Sequence, residues 1–266
     1  MQRDVYSIPD LGPSVEQAAA LVLDATCAVA LSGAGISVPS GIPDFRSPDS
    51  GLWEHADPMA VASLESFRRH PEVFYNWIRP LAHMVLQAQP NAAHITLAEL
   101  EAAQHLEGVI TQNIDGLHQR AGSRRVHEIH GHIRQATCLR CRQVVPTEEI
   151  APIFLEEGKV PRCACGGVFK PNVVLFGEML PEDEWNAAVE LIKGCDVLLV
   201  VGSSLEVSPA ADLPLYAVAH GSRLVILNLT PTPLDELAEV VIHQDVTVVL
   251  PWIGKLVLAH SSDKRS

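Results

Sequence analysis

A short apolar run passes into a glycine-containing turn at Cys27-Ala-Val-Ala-Leu-Ser-Gly-Ala-Gly-Ile-Ser37. An uninterrupted apolar run of this kind is typical of a strand buried on both faces, and the small residues after it indicate a turn. Glycines there allow close backbone approach, and free amides at a helix start attract a pyrophosphate. The third glycine of the usual dinucleotide fingerprint is replaced by Val38, so this turn alone leaves nucleotide binding and a plain sharp reversal equally open.

Similar apolar runs recur along the chain and alternate with helix-like stretches. Helices are predicted at 15–25, 91–104, 182–193 and 209–220, the first from a capping box at Ser14-Val-Glu-Gln17. The alternation predicts an α/β fold with a doubly wound, Rossmann-like parallel sheet. Its strands are expected at 27–31, 108–111, 196–201, 223–227 and 240–243.

Two segments interrupt this alternation and predict a smaller lobe. Residues 42–89 are mostly helical with proline breaks, and residues 135–170 contain a cysteine cluster without long periodic elements. We therefore expect a Rossmann-like domain built from residues 1–41, 90–134 and 171–266. The smaller lobe would consist of a helical insertion at 42–89 and a zinc-ribbon insertion at 135–170.

The composition excludes several classes of protein. Against 19 Lys and Arg stand 32 Asp and Glu, and the net charge of −13 argues against a basic nucleic-acid-binding or membrane-surface protein. No uncharged run approaches the length of a membrane span, roughly 18 residues or more. The first eleven residues lack the apolar segment of a secretory signal, so we expect a cytoplasmic protein. We also expect a monomer that binds neither nucleic acid nor membranes.

Four of the six cysteines form two close pairs, Cys138-Leu-Arg-Cys141 and Cys163-Ala-Cys165. In a reducing compartment this spacing favours a zinc site over two disulfides. Four thiolates leave no coordination position for water, so the zinc would be structural. The second pair is tighter than the usual zinc knuckle. Cys27 and Cys195 stand alone in apolar surroundings and are assigned to the core.

Two further patterns leave alternatives open. His127, His130 and His132 lie close together, and if they alternate along one strand they could form a second metal site. The alternative is that each is a solvated or hydrogen-bonded side chain. Asn228 follows a predicted strand, where it could hold a ribose hydroxyl or simply cap the strand end.

Six motifs occur in this order along the chain, with the four cysteines between the fourth and the fifth: Gly33-Ala-Gly-Ile-Ser37, Gly41-Ile-Pro-Asp-Phe-Arg46, Thr111-Gln-Asn-Ile-Asp-Gly-Leu-His118, Glu128-Ile-His-Gly131, Lys170-Pro-Asn-Val-Val-Leu-Phe-Gly-Glu178 and Gly202-Ser-Ser-Leu-Glu-Val-Ser-Pro209. Together they resemble the sirtuins, the family of NAD-dependent protein lysine deacylases. The resemblance extends from about Ala18 to Trp252. The chain departs from it in its shorter second cysteine pair and in Lys170, which stands where arginine is frequent.

The resemblance implies that NAD lies between the sheet and the smaller lobe, in the crevice at the carboxyl edge of the sheet. A guanidinium can fork onto phosphate oxygens, and an amide and a carboxylate can bind the nicotinamide carboxamide. By similarity, Ala34, Gly35, Arg46, Gly202, Ser203 and Asn228 hold the diphosphate and adenosine. Asn113 and Asp115 bind the carboxamide, Ile42, Phe45 and Ile114 enclose the ring, Gln112 reaches the ribose, and Asp44 is a further cofactor contact.

The resemblance also implies a reaction in which the acyl oxygen of a modified lysine attacks the ribose carbon that nicotinamide leaves. His130 matches the family's catalytic base, and Asn113 is the second expected catalytic residue. The attack on the ribose carbon gives an alkylimidate. His130 then takes a proton from the ribose hydroxyl relay, so that the hydroxyl oxygen can attack the imidate carbon. Water finally releases lysine and acyl-ADP-ribose. A neutral imidazole, with a reference pKa of about 6.5, suits this role.

The substrate peptide is expected to lie as an added strand between two chain segments. Val174 and Phe176 alternate along an extended segment and would line an apolar acyl-lysine tunnel beside Gly177. Glu206 and Val207 would offer backbone groups to the peptide.

The expected acyl group is neutral. Sirtuins that prefer acidic acyl groups share a Tyr-x-x-Arg pair, whereas this chain has Tyr75-Asn-Trp-Ile-Arg79. Ile78 stands where those sirtuins have the arginine. Arg79 follows one residue later, and on a helix this turns its side chain by about 100° away from that position.

Two other functions compete with deacetylation. One is a sirtuin-like protein ADP-ribosyltransferase or NAD hydrolase that uses the same cleft. The other is a non-catalytic NAD-binding or zinc-ribbon interaction module, which would predict loss of His130 or Asn113. Both residues are present, and together with Val174 and Phe176 they favour deacylation.

Overall fold

The computed structural model describes residues 8–44, 51–54 and 56–263 of the chain. Its strands are β1 (Ala28–Ser32), β2 (Gly108–Thr111), β3 (Val126–Glu128), β4 (Gly131–Cys138), β5 (Val144–Pro146), β6 (Phe169–Val173), β7 (Val197–Val201), β8 (Arg223–Leu227) and β9 (Val240–Ile242). Its helices are α1 (Ile8–Asp24), α2 (Pro58–Ala62), α3 (Leu64–Arg69), α4 (Pro71–Gln87), α5 (Ala92–Ala102), α6 (Leu117–Ala121), α7 (Thr147–Leu155), α8 (Glu182–Gly194), α9 (Leu213–Ala219) and α10 (Val246–Asp263). None of these described helices is long and apolar enough to cross a membrane.

Six parallel strands form the larger sheet, in the order β3-β2-β1-β7-β8-β9. Two three-strand halves therefore run outward from the centre, which is the order of dinucleotide-binding sheets. The order reverses between β1 and β7, which are paired up to Ser32 and Val201. Ligands of such sheets bind outside the carboxyl ends of the strands at this reversal. The predicted doubly wound sheet is confirmed.

Helices cover both faces of this sheet, and for this reason its central strands β1 and β7 are apolar except at Ser32, the last residue of β1. All five residues of β1 and of β7 are buried. Alternate residues point to opposite faces, so Val197 and Leu199 pack with α1, α5 and α10, while Leu198 and Val200 pack with α8 and α9.

The smaller lobe combines α2, α3, α4 and α7 with an antiparallel sheet of order β5-β4-β6. Its core is aromatic, because Phe67, Phe74 and Tyr75 are fully buried and contact one another. Tyr75 Oη donates to the Phe169 carbonyl oxygen over 2.6 Å and so ties α4 to β6. Strands β4 and β6 run across the expected domain boundaries at 134/135 and 170/171, and the division into domains stays a prediction.

Three local details differ from what the sequence predicts. Helix α1 begins at Ile8, so Ser14 lies inside the helix and not in a capping box; Pro9 is tolerated because it falls in the first turn, where amides have no helical acceptor. Helix α4 continues through Pro80 without a break. The helix expected at 209–220 begins as a single 3₁₀ turn, Ala210–Asp212, before α9.

The sequence pattern missed several elements, among them β3 and α10. Strand β3 is only three residues long and lacks an apolar run. Helix α10 begins with the β-branched residues of Val246-Thr-Val-Val249 and contains Pro251, which all oppose helix formation. Tertiary packing overrides this preference, because Val249, Ile253 and Val257 are buried in the same core as α1 and α5.

Candidate active site

The turns that follow β1 and β7 pack directly against each other. The Gly35 amide donates to the Gly202 carbonyl oxygen over 2.8 Å. A Cβ atom on Gly33 would lie 2.8 Å from that oxygen, and one on Gly35 would lie 2.9 Å from it. The glycines are therefore needed for contact between the two turns, a reason that differs from the close phosphate approach expected from the sequence.

The first of these turns leaves one donor for a ligand. It continues as a single 3₁₀ turn, Ala34–Ile36, in place of a long helix. Within the residues that the structure describes, the amides of Gly33, Gly35, Ile36 and Ser37 have backbone acceptors, and the amide of Ala34 has none. An unpaired amide at the reversal of strand order suits an anion such as a diphosphate.

Asn113 and Asp115 meet at one serine. The Asn113 amide nitrogen Nδ2 donates to Ser37 Oγ over 3.1 Å and to the Gly33 carbonyl oxygen over 2.9 Å. Ser37 Oγ in turn donates to Asp115 Oδ2 over 2.7 Å. All three side chains are buried. This chain of hydrogen bonds fixes the asparagine amide and the carboxylate beside the β1 turn.

The environment of Asp115 opposes its charge. Burial raises the pKa of its carboxyl group, and the hydrogen bonds from the Leu117 amide and Ser37 act against that rise. A buried carboxyl group that already accepts two hydrogen bonds can accept a further one from the amide group of nicotinamide.

His130 lies in the turn between β3 and β4, and one hydrogen bond determines its tautomer. Its Nδ1 is 3.1 Å from the carbonyl oxygen of Gln112. A carbonyl oxygen can only accept, so Nδ1 carries the proton and Nε2 of the neutral ring has the free lone pair. Burial lowers the pKa of His130, against the effect of the Gln112 bond, and this keeps the ring neutral at pH 7.

Gln112 links three strand ends. Its main-chain amide donates to the Ser32 carbonyl oxygen over 3.0 Å, and its side-chain Nε2 donates to Ser203 Oγ over 3.0 Å. With its carbonyl oxygen on His130, it joins the carboxyl ends of β1, β2 and β7 to the histidine.

Val174 and Phe176 lie on a segment that runs from His130 to the helical lobe. The Val174 amide donates to the His130 carbonyl oxygen over 2.8 Å. Phe176 bonds through its amide to Ala62 and through its carbonyl oxygen to Leu64. Phe176 is 39% exposed, enough to contact a substrate.

The remaining expected site residues lie around this centre. Ile42 is buried in the small-lobe core, and Ile114 packs against this core. The carbonyl oxygen of Asp44 accepts a hydrogen bond from the Leu52 amide. Glu206 is exposed and Val207 half-buried after the β7 turn. The side-chain Nδ2 of Asn228 donates to the Thr230 carbonyl oxygen over 2.7 Å and so caps the strand end, which leaves Oδ1 as the atom suited to a ribose hydroxyl. Phe45 and Arg46 lie outside the described residues.

The four clustered cysteines form a group suited to zinc. Their sulfur atoms all lie within 4.8 Å of one another, with 3.6 Å between Cys138 and Cys165 and between Cys141 and Cys163. Zn–S bonds of about 2.3 Å in a tetrahedron require sulfur atoms about 3.8 Å apart. The tight Cys163-Ala-Cys165 pair reaches this geometry through a turn in which the Gly166 amide donates to the Cys163 carbonyl oxygen. The sulfur positions therefore fit a tetrahedral zinc ion.

Of the two alternatives left open for the histidines, the structure favours hydrogen-bonded side chains over a second metal site. His127 lies on β3, His132 lies on β4, and the reversal between the strands prevents the alternation that such a site needs. His127 Nδ1 is 3.1 Å from Glu184 Oε2. Within the described residues the cysteine cluster is the one group of three or more potential ligands.

A buried polar network that the sequence does not predict lies behind Asn113. The main-chain amide of Asn113 donates to Thr111 Oγ1, which also accepts from Ser32 Oγ. Ser32 Oγ lies 2.8 Å from His118 Nε2. His118 packs on His94 with ring centroids 4.9 Å apart. In the sequence, the network is indicated only by polar residues at the ends of otherwise apolar strands. Nothing in the sequence indicates the role of Ser37 except its position after the glycines.

Comparison with known proteins agrees with this geometry. A model of the Sir2 family matches residues 33–209. The NAD-dependent protein deacetylase of Sulfurisphaera tokodaii is 44% identical over 233 residues, which are 88% of this chain and 92% of that protein. A structure solved for the mechanism and regulation of Sir2 enzymes has a TM-score of 0.88 at 44% identity and covers 93% of this chain and 99% of its own. A solved complex of Sir2 with p53 peptide and NAD⁺ has a TM-score of 0.83 at 40% identity, covering 94% and 99%. This chain therefore belongs to the Sir2 family, the sirtuins.

Proposed function

We propose that this chain is an NAD-dependent protein lysine deacetylase, which transfers the acyl group of acetyl-lysine to ADP-ribose and releases nicotinamide and free lysine. The position of His130 is the observation that carries the proposal. Its ring bonds to Gln112 at the strand ends of the larger sheet, and its carbonyl oxygen holds Val174 of the substrate segment. Relatives named NAD-dependent protein deacetylase support the same activity.

The nucleotide side of the cleft is formed by the β1 and β7 turns. The free Ala34 amide suits a diphosphate, and Asn113 with Asp115 would orient the nicotinamide carboxamide. Bound NAD supplies a ribose carbon that becomes electrophilic as nicotinamide leaves. The residues named here bind and orient it, and Arg46, Ser203 and Asn228 complete the proposed nucleotide contacts.

His130 acts as the base. Its neutral Nε2 accepts a proton from a ribose hydroxyl, while the Gln112 carbonyl oxygen holds the Nδ1 proton in place. As the ring becomes positive, the same carbonyl oxygen stabilises the charge. The lowered pKa of His130 keeps the base unprotonated before the reaction.

The acyl-lysine side is formed by residues 174–177. Val174 and Phe176 would line the apolar tunnel, and Gly177 with the backbone of Glu206 and Val207 would pair with an added peptide strand. Because Val174 is bonded to the main chain of His130, a lysine in this tunnel arrives next to the base.

The zinc site would stabilise the smaller lobe and take no part in the chemistry. Strand β4 runs from Gly131, beside His130, to the ligand Cys138. Seven steps along a strand span about 23 Å, too far for the metal to reach the reacting atoms. Four reduced thiols also suit the cytoplasmic location that we propose.

The decisive experiment is incubation with NAD and an acetyl-lysine peptide, with products identified by mass spectrometry. Deacetylated peptide, nicotinamide and acetyl-ADP-ribose are expected in equal amounts. An ADP-ribosylated peptide, or ADP-ribose without deacetylated peptide, would contradict the proposal and favour the transferase or hydrolase.

A further inference from the structure

A buried lysine holds together the segment that carries Val174 and Phe176. The side chain of Lys170, on β6, is only 9% exposed. Its ammonium group donates to the carbonyl oxygens of Pro171 and Val173, over 3.2 and 2.7 Å, and lies 2.8 Å from Glu178 Oε2. An ammonium has three protons, so these three acceptors satisfy it completely.

Glu178 closes the other end of the same segment. Its Oε2 also accepts from the Leu175 amide over 2.9 Å, and its own amide donates to the Leu175 carbonyl oxygen over 2.9 Å. Gly177 has a φ of +85°, the conformation that a type II turn requires at its third residue. The ion pair therefore joins the first and last residues of the loop 170–178.

Residues 170–173 of the loop belong to β6 and pair with β4, and beyond β6 the described loop is attached at two residues, both of which concern the cleft. Val174 bonds to the main chain of His130, and Phe176 bonds to Ala62 and Leu64 of the helical lobe. Strand pairing fixes residues 170–173, but these single main-chain bonds do not by themselves fix the path of the chain from Val174 to Glu178. The ion pair does so from inside the loop, since it holds three of its carbonyl or carboxylate groups on one nitrogen.

We propose that Lys170, acting through Glu178 and the loop carbonyl groups, is a positioning residue that sets the shape of the acyl-lysine tunnel. The proposal rests on the proposed deacetylase function. Removing one partner of a buried ion pair leaves the other charge uncompensated, so the loop would rearrange to bring Glu178 to water. Burial lowers the pKa of Lys170, and the hydrogen bond and charge of Glu178 act against this.

The test compares Lys170→Met with Lys170→Arg and with a matched control, Lys159→Met. Lys159 belongs to the same lobe and also pairs with a glutamate, Glu157, over 2.8 Å, but its side chain is 72% exposed. For each protein, KM for an acetyl-lysine peptide, KM for NAD, kcat and the melting temperature are measured. The ratio of kcat/KM for acetyl over butyryl peptides is measured as well.

We expect Lys170→Met to raise the peptide KM about tenfold, with KM for NAD changed less than about twofold, because the nucleotide contacts lie on other elements. The acetyl over butyryl ratio should fall, since a loosened tunnel selects less by size. Lys170→Arg should stay within about threefold of wild type, because a guanidinium also pairs with a carboxylate. Lys159→Met should behave as wild type.

An unchanged peptide KM in folded Lys170→Met would overturn the proposal, and so would an equal rise in both KM values, which indicates general damage. If Lys170→Met does not fold, Glu178→Gln decides, because it keeps an acceptor for the Leu175 amide and removes only the charge. A peptide KM unchanged by Glu178→Gln would also reject the role. Failure of the wild-type protein to deacetylate any peptide would instead reject the proposed function itself.

Discussion

The backbone amide of Val174 donates a hydrogen bond to the carbonyl oxygen of His130 over 2.8 Å. This bond joins the substrate segment to the turn of the proposed base through main-chain atoms only. It therefore does not depend on the histidine side chain, whose Nδ1 is held separately by Gln112. The imidazole can be replaced while the segment keeps its attachment, so proton transfer can be tested apart from substrate binding.

His130→Ala should lower kcat for deacetylation about a hundredfold to ten-thousandfold, the usual contribution of a general base. The NAD dissociation constant should stay within about threefold, because other groups hold the dinucleotide. Steady-state kinetics with an acetyl-lysine peptide and NAD binding by calorimetry measure the two effects. Turnover close to wild type would refute the role assigned to His130.

Asn113→Ala should have a broader effect than His130→Ala. The side-chain amide of Asn113 donates to Ser37, which in turn donates to Asp115. Loss of the asparagine side chain therefore disturbs the expected carboxamide contacts. We expect impaired nicotinamide exchange as well as impaired deacetylation. An Asn113→Ala protein with normal exchange of labelled nicotinamide into NAD would contradict this assignment.

The buried pair His94 and His118 should make the fold sensitive to acid. Burial lowers the pKa of His94 to about 4 and that of His118 to about 3, the latter also through the nearby His94. In the unfolded chain both would titrate near 6.5. Their neutral forms therefore stabilise the fold fully above pH 6.5, and this stability is lost as pH falls, by about 1–2 kcal/mol for each histidine at pH 5.

Chemical denaturation at pH 7.5 and pH 5 measures this loss in wild type and in His94→Gln and His118→Gln. Each variant should lose less stability between the two pH values than the wild type does. His83→Gln changes an exposed histidine on α4 and serves as the control. Identical pH dependence in all four proteins would show that the pair does not titrate as described.

Cys163→Ser should lower zinc content and melting temperature together. The remaining three thiolates bind the ion much more weakly, and binding free energy at a structural site is also folding free energy. Cys27→Ser, outside the cluster, should leave the zinc content unchanged. Elemental analysis that finds no zinc in well-folded wild-type protein would refute the metal assignment.

The protein should prefer acetyl-lysine to succinyl-lysine by about a hundredfold in kcat/KM. Ile78 is buried in the small-lobe core, and Arg79 is bonded to the Phe154 carbonyl oxygen and to Asn76. Tyr75 donates to the Phe169 carbonyl oxygen. The Tyr75 hydroxyl and two of the Arg79 nitrogen atoms therefore already have acceptors, and an unpaired buried charge costs several kcal/mol, of which about 3 would give this ratio.

Peptides of one sequence carrying acetyl, butyryl or succinyl groups measure this preference. The butyryl peptide has nearly the length of the succinyl peptide and lacks its charge, so it separates size from charge. Equal or faster desuccinylation would show that Arg79 reaches the acyl group after all.

The sequence by itself determined the parallel sheet and the family. Strands β2 and β8 were predicted to the residue, because apolar runs between small or polar residues are a local signal. The order of the motifs identified Asn113, Asp115 and His130 as candidates, and the cysteine pairs predicted the sulfur cluster that the structure shows. Each of these inferences needed only neighbouring residues or their order along the chain.

Only the tertiary structure decided how these residues act on one another. The tautomer of His130 depends on a carbonyl oxygen 18 residues away, and the hydrogen bond of Asn113 to Ser37 crosses 76 positions. The burial of Lys170 against Glu178 depends on a loop path that no local pattern encodes. Such contacts arise because parallel strands bring their carboxyl ends to one edge, whatever their distance in sequence, and local propensity contains no information about which residues meet there.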